Sequence, residues 1–123
     1  MPRRYIHKRL SSFGYALKGI VTAFKSEPHM KLHTLSAVIV VVLGFYFTIT
    51  RTEWVLLILA MGMVISAEIM NTAVEKLTDL VTKEYHPLAG KAKDLAAGAV
   101  LVAAIAAAVI GLLVLGPYFL KEF

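Results

Sequence analysis

The chain has 123 residues, 59% of them apolar, with a mean hydropathy of +0.74, which excludes an ordinary soluble domain. It has no cysteine, so disulfides, thiolate metal sites and cysteine nucleophiles are excluded as well. The 13 Lys+Arg against 8 Asp+Glu give a net charge of +5, but their placement follows membrane topology and is not a nucleic-acid footprint.

The first 31 residues are basic, with Arg3, Arg4, Lys8, Arg9, Lys18, Lys25 and Lys31 opposed only by Glu27. They lack a compact apolar run with a small-residue cleavage site, so no signal peptide is expected. Leu10, Phe13, Leu17, Ile20, Val21 and Phe24 recur at helical spacing, with Lys18 and Lys25 on the other side. This pattern predicts an amphipathic helix over about 5–26, lying in the membrane interface. Pro28 either interrupts that helix or occupies the first turn of a new one after Glu27. In the second case Glu27 faces the bundle at the membrane surface.

A first span is expected at about 30–50. Its apolar stretch from Leu32 to Thr50 makes about 28 Å of helix, enough for a hydrocarbon core of roughly 30 Å. His29 and His33 are four residues apart without a further strong ligand, and they read as interfacial polar residues. Arg51, Thr52 and Glu53 form a short connection, with Thr52 as the expected N-cap. Tyr46 and Trp54 suit an interfacial aromatic belt.

The second span, about 53–81, carries the most informative pattern. After an almost wholly apolar start, Glu68, Asn71, Glu75 and Asp79 follow at i, i+3, i+7 and i+11, on one side of a helix. Counted from the outer boundary, Glu68 lies roughly 9 Å short of the inner boundary of the core. Glu75 falls near that boundary and Asp79 outside it. A carboxylate as deep as Glu68 is either a structural hydrogen-bond partner or a functional acid–base group. No Lys or Arg stands at matching depth in the other spans, which favours function. Burial suits it to take a proton from an alcohol. Glu75 and Glu27 could hold Mg²⁺ through hard oxygen ligands, the remaining shell coming from nucleotide phosphates and water. Asn71 between them is an orienting donor, or simply a packed amide.

Residues 82–93 are expected as a loop, with Pro87 and Gly90 marking it as at least partly non-helical. Lys93 and Asp94 then open the third span, about 94–117. There a phosphate could meet a cation and backbone N–H groups, while Asp94 alone could be an N-cap. The span is rich in Ala and Gly, which permits close helix packing, and Pro117 is expected to end it. Apart from Arg51, Lys76 and Lys121, every basic residue lies in the N-terminal segment or the 82–93 loop. That bias places the N-terminus inside and the C-terminus outside. The expected fold is an all-α integral membrane domain over 1–123, with a surface helix and three spans, thin enough that oligomerisation is expected. Its site suits a metal and an anion, and these residues leave phosphoryl transfer and ion transport both open.

The segments EIMNTAVEKLTDLV and EYHPLAGKAKD resemble the bacterial integral-membrane diacylglycerol kinase family, which includes undecaprenol kinases, and the similarity covers nearly the whole chain. The resemblance implies a homotrimer that moves the γ-phosphoryl of MgATP to a lipid hydroxyl. It assigns Glu68 as general base, Asn71 as an active-site amide, and Glu27 and Glu75 as magnesium ligands. Lys8, Tyr15, Glu84, Tyr85, His86, Lys93 and Asp94 correspond to nucleotide-binding positions, with Asp79 grouped beside them. Many relatives have Arg-Asn where this chain has Pro28-His29, a departure that falls on substrate positioning. The 82–94 loop and the Lys31-Leu32-His33 element favour undecaprenol as the lipid, with diacylglycerol as the alternative. A small transporter using Glu68 as a relay is the reading from a different class.

Overall fold

A computed structural model describes the backbone of residues 2–122 and the side chains of residues 6–121; the side chains of Arg3 and Arg4 lie outside the described residues. Four helices follow in order: α1 (Pro2–Ser26), α2 (Pro28–Tyr46), α3 (Arg51–Val81) and α4 (Pro87–Glu122). No strand occurs among the described residues. α2, α3 and α4 are each long and apolar enough to cross a membrane. Phe13, Leu17, Leu59, Leu101, Leu112 and many other large apolar side chains are exposed. Such a surface suits lipid, where helices satisfy their own backbone groups.

Of the two Pro28 alternatives the structure shows the second, the first turn of a new helix after Glu27. Glu27 adopts an extended backbone as N-cap of α2, and Pro28 opens the new helix, where its missing N–H costs nothing. At the other end of α2, Thr48 sits at φ 49°, with Thr48 N–H donating to Phe45 O (3.3 Å) and Ile49 N–H to Gly44 O (3.2 Å). This pair of bonds is a Schellman stop built on a β-branched residue where glycine is usual. The expected cap of the next helix is corrected here, since it is Thr50, not Thr52. Thr50 Oγ1 accepts from Glu53 N–H at 3.3 Å, and Glu53 Oε1 accepts from Thr50 N–H at 3.0 Å. The Thr-x-x-Glu spacing of a reciprocal capping box selects Thr50.

Two further expectations fail. The loop after α3 is confined to residues 82–86, because Pro87 starts α4 and Gly90 lies within it. Proline is preorganised for the first helical turn, so it marks a beginning here and not a loop. Pro117 does not end α4, which continues to Glu122. A proline one turn or so from a helix end forfeits few backbone bonds, and neighbouring helices in a membrane protein tolerate it.

α3 packs mainly against α4, and α2 packs against α3 more than against α4. The apolar core lies at the end holding the α2–α3 turn and gathers Ile49, Leu57, Val114 and Leu115, with Leu43, Phe47 and Trp54 against them. Tyr118 OH donates to Glu53 Oε1 at 2.6 Å and ties α4 to the same turn. The opposite end buries polar groups instead: Glu27, Glu68, Asn71 and Thr72, beside Ala23 and Met30.

Gly44 sets how closely the α2–α3 turn can fold, since a Cβ there would meet Trp54 Cη2 at 2.6 Å and Cζ2 at 2.8 Å. Gly44→Ala should destabilise the fold by about 1–3 kcal/mol through overpacking. In thermal unfolding of the detergent-solubilised protein, adding Trp54→Leu should lower the midpoint by less than the two single effects together. Additive losses would mean the indole does not set the approach.

Candidate active site

Glu68 stands on α3, 2% exposed, in the middle of the buried polar cluster. Its Oε1 lies 2.9 Å from His33 Nε2 on α2. An ionised carboxylate can only accept, so Nε2 carries the hydrogen when Glu68 is charged. This corrects the reading of His33 as an interfacial polar residue. His33 is half-buried and reaches the deep carboxylate directly, whereas His29 is exposed. One turn along α3 from Glu68, Asn71 Nδ2 donates to Glu75 Oε1 at 3.4 Å. Its Oδ1 is buried without a hydrogen-bond partner.

Glu27 closes the cluster from the α1–α2 junction. Its carboxyl is pushed above the usual carboxylate range, chiefly by burial. Next come the Glu75 carboxyl, close enough to hydrogen-bond it, and the charges of Glu75 and Glu68; the Thr72 hydroxyl works weakly the other way. Mutual repulsion of buried carboxylates, with an orphan amide oxygen beside them, is the setting a hard cation would relieve. The donor set therefore fits a cation, but only as part of a shell. Among the described residues no three His, Asp or Glu side chains converge as a complete metal site.

The other anticipated residues separate into three places. Asp79, Glu84, Tyr85, His86 and Lys93 line one pocket of about 210 Å³ at the α3–α4 loop. Asp79 Oδ1 accepts from Lys93 Nζ there at 2.7 Å, so Asp79 engages α4 and leaves the Glu68 cluster. Asp94 faces elsewhere, along an α3–α4 groove with Lys91 and Met63. Lys8 and Tyr15 are exposed on α1. The expectation that Lys93 and Asp94 open a helix fails, because α4 begins at Pro87. Both residues lie past its first turn, where backbone N–H groups are already bonded, so Asp94 is no N-cap.

Two contributors escaped the sequence reading: His33 and Thr72. Thr72 is 5% exposed and its hydroxyl donates to Glu68 O at 3.0 Å. For His33 a signal existed. It lies about 8 Å along α2 from Pro28, a depth comparable with that expected for Glu68. A search for Lys and Arg alone passes over it. His33 also lines an apolar cleft of about 540 Å³ between α2, α3 and α4, with Leu57, Val64 and Phe119 among its walls.

Residues 14–115 match the prokaryotic diacylglycerol kinase family. The chain is 38% identical over 115 residues to the undecaprenol kinase of Bacillus subtilis, covering 94% of each chain. It is 40% identical over 113 residues to the diacylglycerol kinase of Synechocystis, covering 91% of this chain and 65% of that one. It is 32% identical over 110 residues to the diacylglycerol kinase of Escherichia coli, covering 89% and 90%.

Because the folded state raises the Glu27 carboxyl, folding must keep a charge there against burial and repulsion. The resulting penalty is absent at acid pH, grows as pH passes the ordinary carboxylate value, and is complete above the raised one. Glu27→Gln should therefore melt at a higher temperature than the parent chain near neutral pH in metal-free buffer. The difference should shrink as pH is lowered through the carboxylate range. A gap that widens toward acid would reverse the sign assigned to Glu27.

Proposed function

The chain belongs to the prokaryotic diacylglycerol kinase family, and on that premise we propose that it transfers the γ-phosphoryl group of MgATP to the primary hydroxyl of a membrane lipid, with undecaprenol as the preferred acceptor. It is a multi-pass membrane protein, with three spanning helices. The observation that carries the reading is the buried Glu68 carboxylate, set directly after the apolar first half of α3 and followed along that helix by Asn71 and Glu75. One helix thus joins a lipid-depth base to polar groups near its loop end. A lipid alcohol and a soluble nucleotide need that geometry to meet.

In this reading Glu68 accepts the hydroxyl proton as the lipid oxygen approaches the γ-phosphorus in line. Glu27 and Glu75 would hold Mg²⁺, which offsets charge developing on the transferred phosphoryl group. Asn71 orients Glu75 through its amide and offers its unpaired oxygen to the same region. Lys93, with Asp79, Glu84, Tyr85 and His86 around one pocket, supplies a cation beside the phosphates. Asp94, Lys8 and Tyr15 do not share that pocket in one protomer. Their separation supports a homotrimer in which neighbouring copies complete the nucleotide site. The bias of basic residues supports an orientation with the N-terminus and the site on the cytoplasmic side and the C-terminus outside, in a bacterial plasma membrane.

Undecaprenol is preferred because the match to the Bacillus subtilis undecaprenol kinase runs nearly end to end in both chains. Diacylglycerol is the second reading, supported by the diacylglycerol kinases among the relatives. Family membership leaves the transporter reading without support.

With labelled ATP and magnesium, detergent micelles holding undecaprenol should take up more label than micelles holding diacylglycerol at equal mole fraction. The reverse preference would keep the reaction and change the acceptor. Label in neither lipid would overturn the kinase reading. Glu68→Gln should lower kcat by roughly 10²–10⁴-fold with little change in the KM for ATP. Glu27→Gln and Glu75→Gln should instead raise the magnesium concentration needed for half-maximal turnover.

A further inference from the structure

A base in a phosphoryl transfer must be held aimed at the proton it takes. The titratable groups facing Glu68 are Glu27 from the α1–α2 junction, Glu75 from α3 itself, and His33 from α2. Of these it is the imidazole that bonds the carboxylate directly, through the 2.9 Å contact between Nε2 and Oε1. Among the described residues His33 is also the one titratable residue along the apolar cleft between α2, α3 and α4, whose other walls are aliphatic, aromatic or small apart from Ser36. It therefore stands between the cleft and the buried acid.

We propose that His33 is a positioning residue for Glu68 in the phosphoryl transfer described above. Its Nε2–H holds Oε1, which fixes the carboxylate in one rotamer and leaves Oε2 to take the lipid proton. In the transfer the lipid O–H bond breaks and its proton passes to Oε2. The new P–O bond forms on the lipid oxygen, and the bond from the γ-phosphorus to the bridging oxygen breaks, its electron pair leaving on ADP. Glu68, now neutral, still accepts from His33 until its proton is returned to solvent. The assignment rests on the kinase reading for its consequence, but the His33–Glu68 coupling itself does not.

The test uses the full chain in detergent micelles with undecaprenol or diacylglycerol, comparing His33→Leu with His33→Gln. Leucine removes the donor; glutamine keeps an amide N–H near the position of Nε2. His33→Leu should lower kcat by about 10–100-fold with the KM for ATP within about twofold, and His33→Gln should recover most of the loss. If His33→Leu does not fold, His33→Asn, too short to reach Oε1, takes its place. Unchanged kcat in the donor-less variant, or equal impairment of both variants, would each overturn the proposal. A parent chain that phosphorylates neither lipid would sink the kinase reading alone; thermal unfolding of His33→Leu, Glu68→Gln and the double variant would still decide whether the two side chains are coupled, and strictly additive losses would overturn that coupling.

Discussion

The structure turns on the burial of one carboxylate. Placing Glu68 almost out of reach of solvent in a helix that crosses a membrane is costly unless the charge is partnered. The neighbourhood is arranged around that cost. α2 brings His33 to the carboxylate, and the break at Glu27–Pro28 turns a second acid inward. The Thr72 hydroxyl is directed to the Glu68 carbonyl. Three of these features lie on different helices or junctions, so the cluster exists only when α1, α2 and α3 are assembled.

The two ends of the bundle divide the work of stability and chemistry. At the α2–α3 turn, Gly44 admits the Trp54 ring, Thr50 and Glu53 cap α3, and Tyr118 bonds Glu53 from α4. At the other end, acids are buried close together and Glu27 is held above its ordinary range by burial and by its neighbours. A folded state that tolerates such repulsion is less stable than it could be. Sites that bind cations and charged phosphates commonly carry this trade between stability and function.

Much of the plan was legible in the chain. Block hydropathy predicted three spans, helical spacing predicted the N-terminal helix, and Glu68, Asn71 and Glu75 fell together at helical periodicity. Errors gathered at boundaries, where one residue type has two meanings. Pro87 begins a helix although proline also marks loops, and Pro117 near a helix end does not stop it. Thr50 and Thr52 are both fit to cap, and only the reciprocal bond with Glu53 separates them. Asp94 and Lys93 looked like a helix start because α4 was expected about two turns too late.

The sequence by itself determined which elements form, because helix periodicity and lipid-length apolar blocks are local properties of the chain. It also determined which face of α3 carries the acids. Only the tertiary structure decided how those groups pair. His33 and Glu68 are 35 residues apart and meet through the packing of α2 on α3. Asp79 leaves its helical companions for Lys93 because α4 lies within reach at the loop end. Such pairings depend on the crossing and relative depth of separate helices, and no local pattern in the chain encodes those.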